Sequence, residues 1–472
     1  MPRPTFLPVL VSLGVLLLAG PTHADPGDPF ATSGLAPAHP AQAWEHSARP
    51  PCADDAPVPA LLTLHDVIDL ALCRNPRTRE TWSAARVAAA QSGIARAPFL
   101  PNATIGAQVQ GFDQRNTTTS GQRMQGSGTL SFNYLLFDFG GRSAALEQAR
   151  QSLFAANWAH NATLQLVMLD AAQAYFQLYA SEEAVVSART AEQSALTSLE
   201  AARARQRAGT ATRADVLQSQ TAWSQAQLSR TQSEGDAAVA RGVLANRVGL
   251  TASRAVRIVP PADTVSRDTG ETAVDQLMEA AATRRPDLRA AQARVKAAEA
   301  NVTIQESAGL PTVSLFGNAG RTETLPGLDT RSAAVGLSVN FPLFTGYRDT
   351  YNIRTAREQI ALQQAGADRL RNDVSLEVWQ SYQDVRTQRQ AVGAAADLVA
   401  AAQESYDVAL GRYRAGVGTV TDLMAAQSLL ANATLQRIQA RFRWNVAKLT
   451  LARAVGLLDG DLFADAPDAP KK

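Results

Sequence analysis

The stretch "RAGTATRADVL", Arg207 to Leu217, returns 207 positions later as "RAGVGTVTDLM", Arg414 to Met424. Each opens Arg-Ala-Gly, passes through small and polar residues, and reaches an aspartate six positions after the glycine: Gly209 to Asp215, and Gly416 to Asp422. Ahead of the first, residues 142–208 contain no proline and no glycine; ahead of the second, residues 349–415 contain no proline and only Gly366, Gly393 and Gly411. Helices of that length would reach roughly 100 Å at 1.5 Å per residue. The apolar side is narrow, with Val374, Val378, Tyr382 and Val385 recurring at helical spacing among Gln and Arg. That pattern is a coiled-coil seam, not the face of a globular core. The two quoted stretches are therefore the tips of two long helical hairpins, with Gly209 and Gly416 supplying the backbone freedom of the turns.

Working outward, the same spacing of 207 relates Tyr175 to Tyr382, Val248-Gly249-Leu250 to Val455-Gly456-Leu457, and Leu130-Ser131-Phe132-Asn133 to Leu337-Ser338-Val339-Asn340. Further upstream the spacing is 210, relating Asn75-Pro76 to Arg285-Pro286 and Pro101 to Pro311. A loop between Pro101 and Leu130 can absorb the difference. Residues 61–250 and 272–457 are thus two copies of one unit, joined by a linker at 251–271. Each copy opens with a helix (about 77–97 and 287–308) that a Leu-Pro pair ends. Two alternating segments follow, 103–113 with 127–137 and 312–320 with 333–344, each with one apolar and one small polar face. The Asn-, Thr-, Ser- and Gln-rich segment between the first pair suits an exposed loop.

The ends differ from the repeats. Arg3, the apolar run Phe6 to Gly20 and the small residue Ala24 read as a signal peptide over 1–24, too short to span a membrane. Residues 25–60, rich in Pro, Ala and His, are expected to form a flexible arm, and 458–472 a loose tail. Cys52 and Cys73 are consistent with either a disulfide or two free thiols. Lys plus Arg number 45 and Asp plus Glu 43, so the net charge is +2 and nothing points to a nucleic-acid partner. The five histidines have no metal-ligand spacing, and no nucleophile elbow or phosphate loop is present, so neither enzyme activity nor a cofactor is expected.

Segments of about ten residues that alternate apolar and polar are the signature of a membrane barrel with a wet interior. Four strands cannot close such a barrel, and an open edge is not tolerated in lipid, so several chains must share one. The expected fold is α+β: a shared β-barrel with four strands per chain, continued by a long helical coiled-coil tunnel. The order of the parts, "LLFDFGGR" (Leu135 to Arg142), "PLFTGYR" (Pro342 to Arg348), "YRAGVGTVTDLMAAQ" (Tyr413 to Gln427) and the closing Val-Gly-Leu resemble the TolC-type outer-membrane factors over residues 61–457.

The resemblance implies a homotrimer in outer-membrane lipid, with a tunnel in the periplasm that meets an adaptor protein and an inner-membrane ABC transporter or other pump. It also assigns roles at the tips. Asp422 falls at the position of an acidic ring across the entrance, where clustered carboxylates attract cations; its other reading is a helix-start carboxylate at the positive end of the dipole. The family's second aspartate is Ala425 here, so one ring is expected. Asp215 and Tyr413 fall at the positions of a hydrogen-bonded latch. The arginine expected in the second tip is Gly418, which implies looser closure. Arg207 and Arg414 are candidates for adaptor contact. No cysteine follows the apolar leader, which inclines the reading to type I secretion of a protein toxin. Multidrug efflux is the alternative cargo, and a surface trimeric coiled-coil adhesin is the alternative of another class.

Overall fold

The computed structural model describes residues 27–44, 52, 58–115, 120–261, 273–325 and 328–458. The leader at 1–24 and the tail beyond Leu458 lie outside the described residues. The first copy runs α1 (Leu64–Arg74), α2 (Pro76–Arg96), β1 (Asn102–Arg115), β2 (Ser120–Phe137), α3 (Gly141–Arg207) and α4 (Arg213–Arg247). The second runs α5 (Val274–Arg284), α6 (Pro286–Ala308), β3 (Thr312–Leu325), β4 (Leu328–Asn340), α7 (Arg348–Arg414) and α8 (Val420–Val455). Among the described residues, no helix is long and apolar enough to cross a membrane.

The two long helices appear where expected, each of 67 residues. Short α1 and α5 precede the anticipated first helices. Thr63 and Asp66 start α1 with a reciprocal capping box, and its buried face is Val67, Ile68, Ala71 and Leu72. Asn75 and Arg285 then turn extended ahead of Pro76 and Pro286, which begin α2 and α6 as N1 prolines.

The duplication extends into the core. Val67, Ala71, Val167, Ala171, Leu178, Leu244 and Val248 pack in one cluster. Their repeat partners Leu277, Ala281, Val374, Val378, Val385, Leu451 and Val455 pack in another. The joint at which the end of α4 meets the turn between α1 and α2 is built like that between the end of α8 and the turn between α5 and α6. A Cβ on Gly249 would lie 2.6 Å from the Arg74 carbonyl oxygen, and one on Gly456 3.2 Å from the Arg284 carbon, so both Val-Gly-Leu motifs mark close backbone approaches. Asn75 Nδ2 donates to the Arg247 carbonyl at 3.1 Å, and Arg285 Nη1 to that of Ala454 at 3.2 Å. The first joint adds Asp170 between Arg77 and Arg247. The second holds a tighter network, in which Glu377 accepts from Arg285 and Arg453, and Asp287 from Arg285. Burial opposes the Arg285 charge, but Asp287 and Glu377 outweigh it and hold its pKa above the ordinary value.

The strands form one antiparallel sheet in the order β1-β2-β3-β4, so the copies meet at β2 and β3. The strands outrun the expected bounds at the end away from the helices. Residues 120–126, expected within a polar loop, pair instead with β1, from Val109 with Gly126 to Arg115 with Ser120. Beta pairing satisfies their backbone groups, and polar side chains alone do not forbid it. In contrast, β4 stops at Asn340 rather than 344, because Pro342 has no N–H for a ladder. One face carries Ile105, Leu130, Leu315, Val335, Leu337 and Val339, with Ile105 87% and Val335 80% exposed. The other carries Thr104, Gln108, Ser131, Asn318, Thr322, Ser332 and Ser338 in the same registers. Within the chain, β1 and β4 each have one strand neighbour.

Strand turns to helix through two successive left-handed residues in each copy: Phe139 (φ 50°) and Gly140 (φ 91°), then Gly346 (φ 66°) and Tyr347 (φ 65°). At the repeat spacing the aromatic residue and the glycine have exchanged places, so only the backbone shape is common to both. Arg142 ties the first transition by donating to the carbonyls of Leu135 and Leu136.

The expectation of a loose arm is corrected for residues 27–44. Asn161 Oδ1 and Nδ2 bond both backbone groups of Trp44, whose ring stands edge-on to Trp158 at 5.1 Å. Asn157 Nδ2 donates to Leu35 and Trp82 Nε1 to Pro37. The buried His160 bonds the Gln42 carbonyl through Nε2, leaving Nδ1 to accept from the Thr81 hydroxyl. The described part of the linker is docked as well: Leu62 pairs with Ile258 in a parallel bridge, and the Tyr175 hydroxyl donates to the Val259 carbonyl. Cys52 and Cys73 are joined in a disulfide, which resolves the alternative left open by sequence.

Candidate functional site

The two tips lie side by side at the end of the molecule opposite the sheet, where α8 packs on α3. Each turn closes in the same way. Gly209 (φ 73°) and Gly416 (φ 79°) take the left-handed conformation that ends α3 and α7. Thr212 and Thr419 then cap α4 and α8. The aspartates at the heart of the opening motif are the third residues of those caps. Asp215 Oδ2 accepts from the Thr212 N–H at 2.8 Å and its hydroxyl at 2.9 Å. Asp422 Oδ2 sits 3.4 Å from the Thr419 N–H, a longer and weaker bond, and the residue is exposed. Both aspartates thus start helices, and the Asp422 carboxylate is the one less engaged in doing so.

Within the chain, Asp215 and Tyr413 are not joined by a hydrogen bond. The carboxylate serves the Thr212 cap, while the Tyr413 hydroxyl is buried without a hydrogen-bond partner among the described residues. The ring packs with Val420 and Leu423, against Ala201 of α3 and Tyr406 of α7. The tips are instead clamped by a residue that sequence reasoning missed. Arg205 of α3 donates through Nη1 to the Tyr413 carbonyl at 3.0 Å and lies over the Tyr413 ring, 4.7 Å from its centroid. A cation there meets the negative end of α7. Higher up, Gln427 of α8 reaches Ser198 Oγ at 2.9 Å and the Ser194 carbonyl at 3.2 Å. Arg203, Arg205 and Arg207 alternate along α3, so sequence alone does not single one out; packing selects Arg205 and leaves Arg207 and Arg414 exposed.

Gly418 has a steric reason. A Cβ there would lie 3.0 Å from the Tyr413 nitrogen and 3.1 Å from the Arg412 carbon, because Val417 and Gly418 both donate to the Arg412 carbonyl. A side chain at that position would crowd the Arg412–Tyr413 backbone, which would have to give by a few tenths of an ångström. Among the described residues, no cluster of three metal-binding side chains occurs.

The profile described as outer membrane efflux protein matches residues 67–250 and 277–457, the two copies almost in full. Protein CyaE of Bordetella pertussis is 31% identical over 465 residues, covering 95% of this chain and 97% of that protein. Outer membrane efflux protein BepC of Brucella suis is 26% identical over 408 residues, 84% of this chain and 86% of that protein. Among solved structures, the outer membrane protein VceC from Vibrio cholerae superposes with a TM-score of 0.74 at 22% identity, over 83% of this chain and 96% of that one. The Campylobacter jejuni CmeC outer membrane channel does so with a TM-score of 0.72 at 17% identity, over 83% and 85%.

Proposed function

The chain belongs to the outer membrane efflux protein family, and from that premise we propose that three copies form an export duct for a protein toxin, driven by an inner-membrane ABC transporter of the type I class. It is an outer-membrane protein whose helices extend into the periplasm. The observation that carries the duct reading is the sheet: four strands with one apolar and one polar face, and edges β1 and β4 that only further copies can pair. Three chains supply twelve strands. The apolar face then meets lipid, the hydroxyl and amide face lines the lumen, and α3, α4, α7 and α8 continue the wall below. A surface adhesin has no use for the strand pairs or for two matching tips.

Protein cargo is favoured by the match to Protein CyaE over nearly the whole of both chains. Multidrug efflux is the second reading, favoured by the similarity to a protein named for efflux. In either case the tips form the entrance and face a periplasmic adaptor, with Arg207, Gly209, Arg414 and Gly416 at the contact. Asp422 forms the acidic ring. Asp215 and Tyr413 form the latch only if the tips rearrange on assembly. Culture medium from parent and deletion strains tests the cargo. Loss of one large secreted protein with drug tolerance unchanged supports type I export. An unchanged medium with lowered tolerance assigns the duct to efflux.

A further inference from the structure

The lipid-facing side of the second strand pair is apolar for four successive cross-strand rows, from Val313 with Val339 to Ala319 with Ala333. The next row sets Arg321 directly opposite Arg331, and the one after it Glu323 opposite Asp329. Like charges directly opposite each other are destabilising. Asp329 relieves the two arginines unequally: Arg321 Nε and Nη2 grip both of its oxygens at 3.0 and 2.9 Å. Arg331 stands 4.0 Å from the same carboxylate with its side chain 74% exposed. Beside Arg321 and Glu323, strand β2 presents Gly128 and Gly126. A Cβ on either would meet nothing within 4 Å, so a bare shelf adjoins the arginine row. Across the sheet the same rows continue as Ala107 with Gly128 and Val109 with Gly126, without charge, and the repeat partners of Arg321 and Arg331 are the uncharged pair Gly111 and Met124. Among the described residues the basic row therefore occurs once, at the end of the sheet away from the helices.

We propose that Arg331, with Arg321 beside it, binds a phosphate group of an outer-leaflet phosphoglycolipid whose acyl chains lie along the apolar rows below. This rests on the outer-membrane placement of the sheet. The helices run into the periplasm, so this end of the strands reaches the outer leaflet, where an arginine costs little and a phosphate lies within reach. A guanidinium fork matches phosphate geometry and offsets the repulsion between the paired arginines. The glycine shelf leaves room for the sugar headgroup.

The test uses the full-length purified protein in detergent, with bisphosphorylated lipid A and its dephosphorylated form, and counts bound lipid by native mass spectrometry. Wild type is expected to hold about one lipid A per chain, with binding roughly tenfold weaker in Arg331→Gln and partly recovered in Arg331→Lys. Dephosphorylated lipid is expected to bind wild type no better than the glutamine variant. Equal affinity of wild type and Arg331→Gln for lipid A overturns the proposal. So does full competition by inorganic phosphate, which would mark a site for soluble anions. If Arg331→Gln weakens the oligomer equally with and without lipid, Arg331 is a subunit contact and the proposal also fails. Far-UV circular dichroism verifies that the variant keeps its sheet. The secretion assay in the deletion strain is independent of this site, so either reading can fail alone.

Discussion

Replacing Arg205 with alanine is expected to loosen the entrance. Arg205 joins the two hairpins through a charged hydrogen bond to the Tyr413 carbonyl and a stacked contact with the Tyr413 ring. A charge-assisted hydrogen bond contributes about 1.5–3 kcal/mol and an exposed cation–π contact about 0.5–1 kcal/mol. Arg205 is only half-buried, so the low ends apply and the clamp stabilises the closed tips by about 2 kcal/mol. If opening separates the hairpins and breaks both contacts, the closed-to-open ratio falls about thirtyfold. Single-channel recording in planar bilayers reads this directly, as higher mean conductance and longer open dwells. Arg207→Ala is the control, because it removes the same charge from the same tip at an exposed position. Identical recordings from the two alanine variants would refute the clamp and leave Tyr413 as a packing residue.

Three further outcomes are expected. Asp422→Ala should lower cation selectivity, measured as a reversal potential in a salt gradient, while its cap loses less than about 1 kcal/mol because the Thr419 bond is already 3.4 Å long; an unchanged potential removes the acidic ring. Gly418→Arg should not restore a latch but distort the second tip, since even a Cβ meets backbone at 3.0 Å, at a cost of about 1–3 kcal/mol visible as faster protease nicking there. Burial pushes the His160 pKa down to about 4, so an undocked arm, with an ordinary histidine near 6.5, binds protons more readily. Docking of residues 27–44 is therefore fully stable above about pH 6.5 and weakens by roughly 3 kcal/mol as pH falls toward 4. Limited proteolysis of the arm should show that window in wild type and lose it in His160→Gln.

The duplication made most of the architecture legible, because a repeat spacing constrains strands, tips and joints at once. It did not reveal which of the alternating arginines reaches across, since Arg203, Arg205 and Arg207 differ only in the direction that α3 gives them. The strand ends were misjudged for a related reason. Gln and Ser pair along β1 and β2 as readily as apolar residues when the lumen beside them is wet, so polarity was a poor boundary signal. The arm was read as loose from composition, whereas its order comes from Asn157, Asn161 and His160, buried polar residues more than a hundred positions away. Gly418 could be seen to depart from the family, but the tight Arg412 carbonyl turn that would crowd a side chain is visible only in three dimensions.

The two joints of each chain have consequences beyond the chain itself. Both are packed around hydrophobic clusters, but the first adds a disulfide, a docked arm and the Asp170 bridge, whereas the second adds a tighter ionic mesh around Glu377. A ring of three chains would then alternate covalently braced and ionic hinges around its waist, so its compliance would repeat every 120° although its backbone repeats nearly every 60°. The disulfide-braced hinges would yield less than the ionic ones, and the tube would flex toward a triangular section before it widened as a circle.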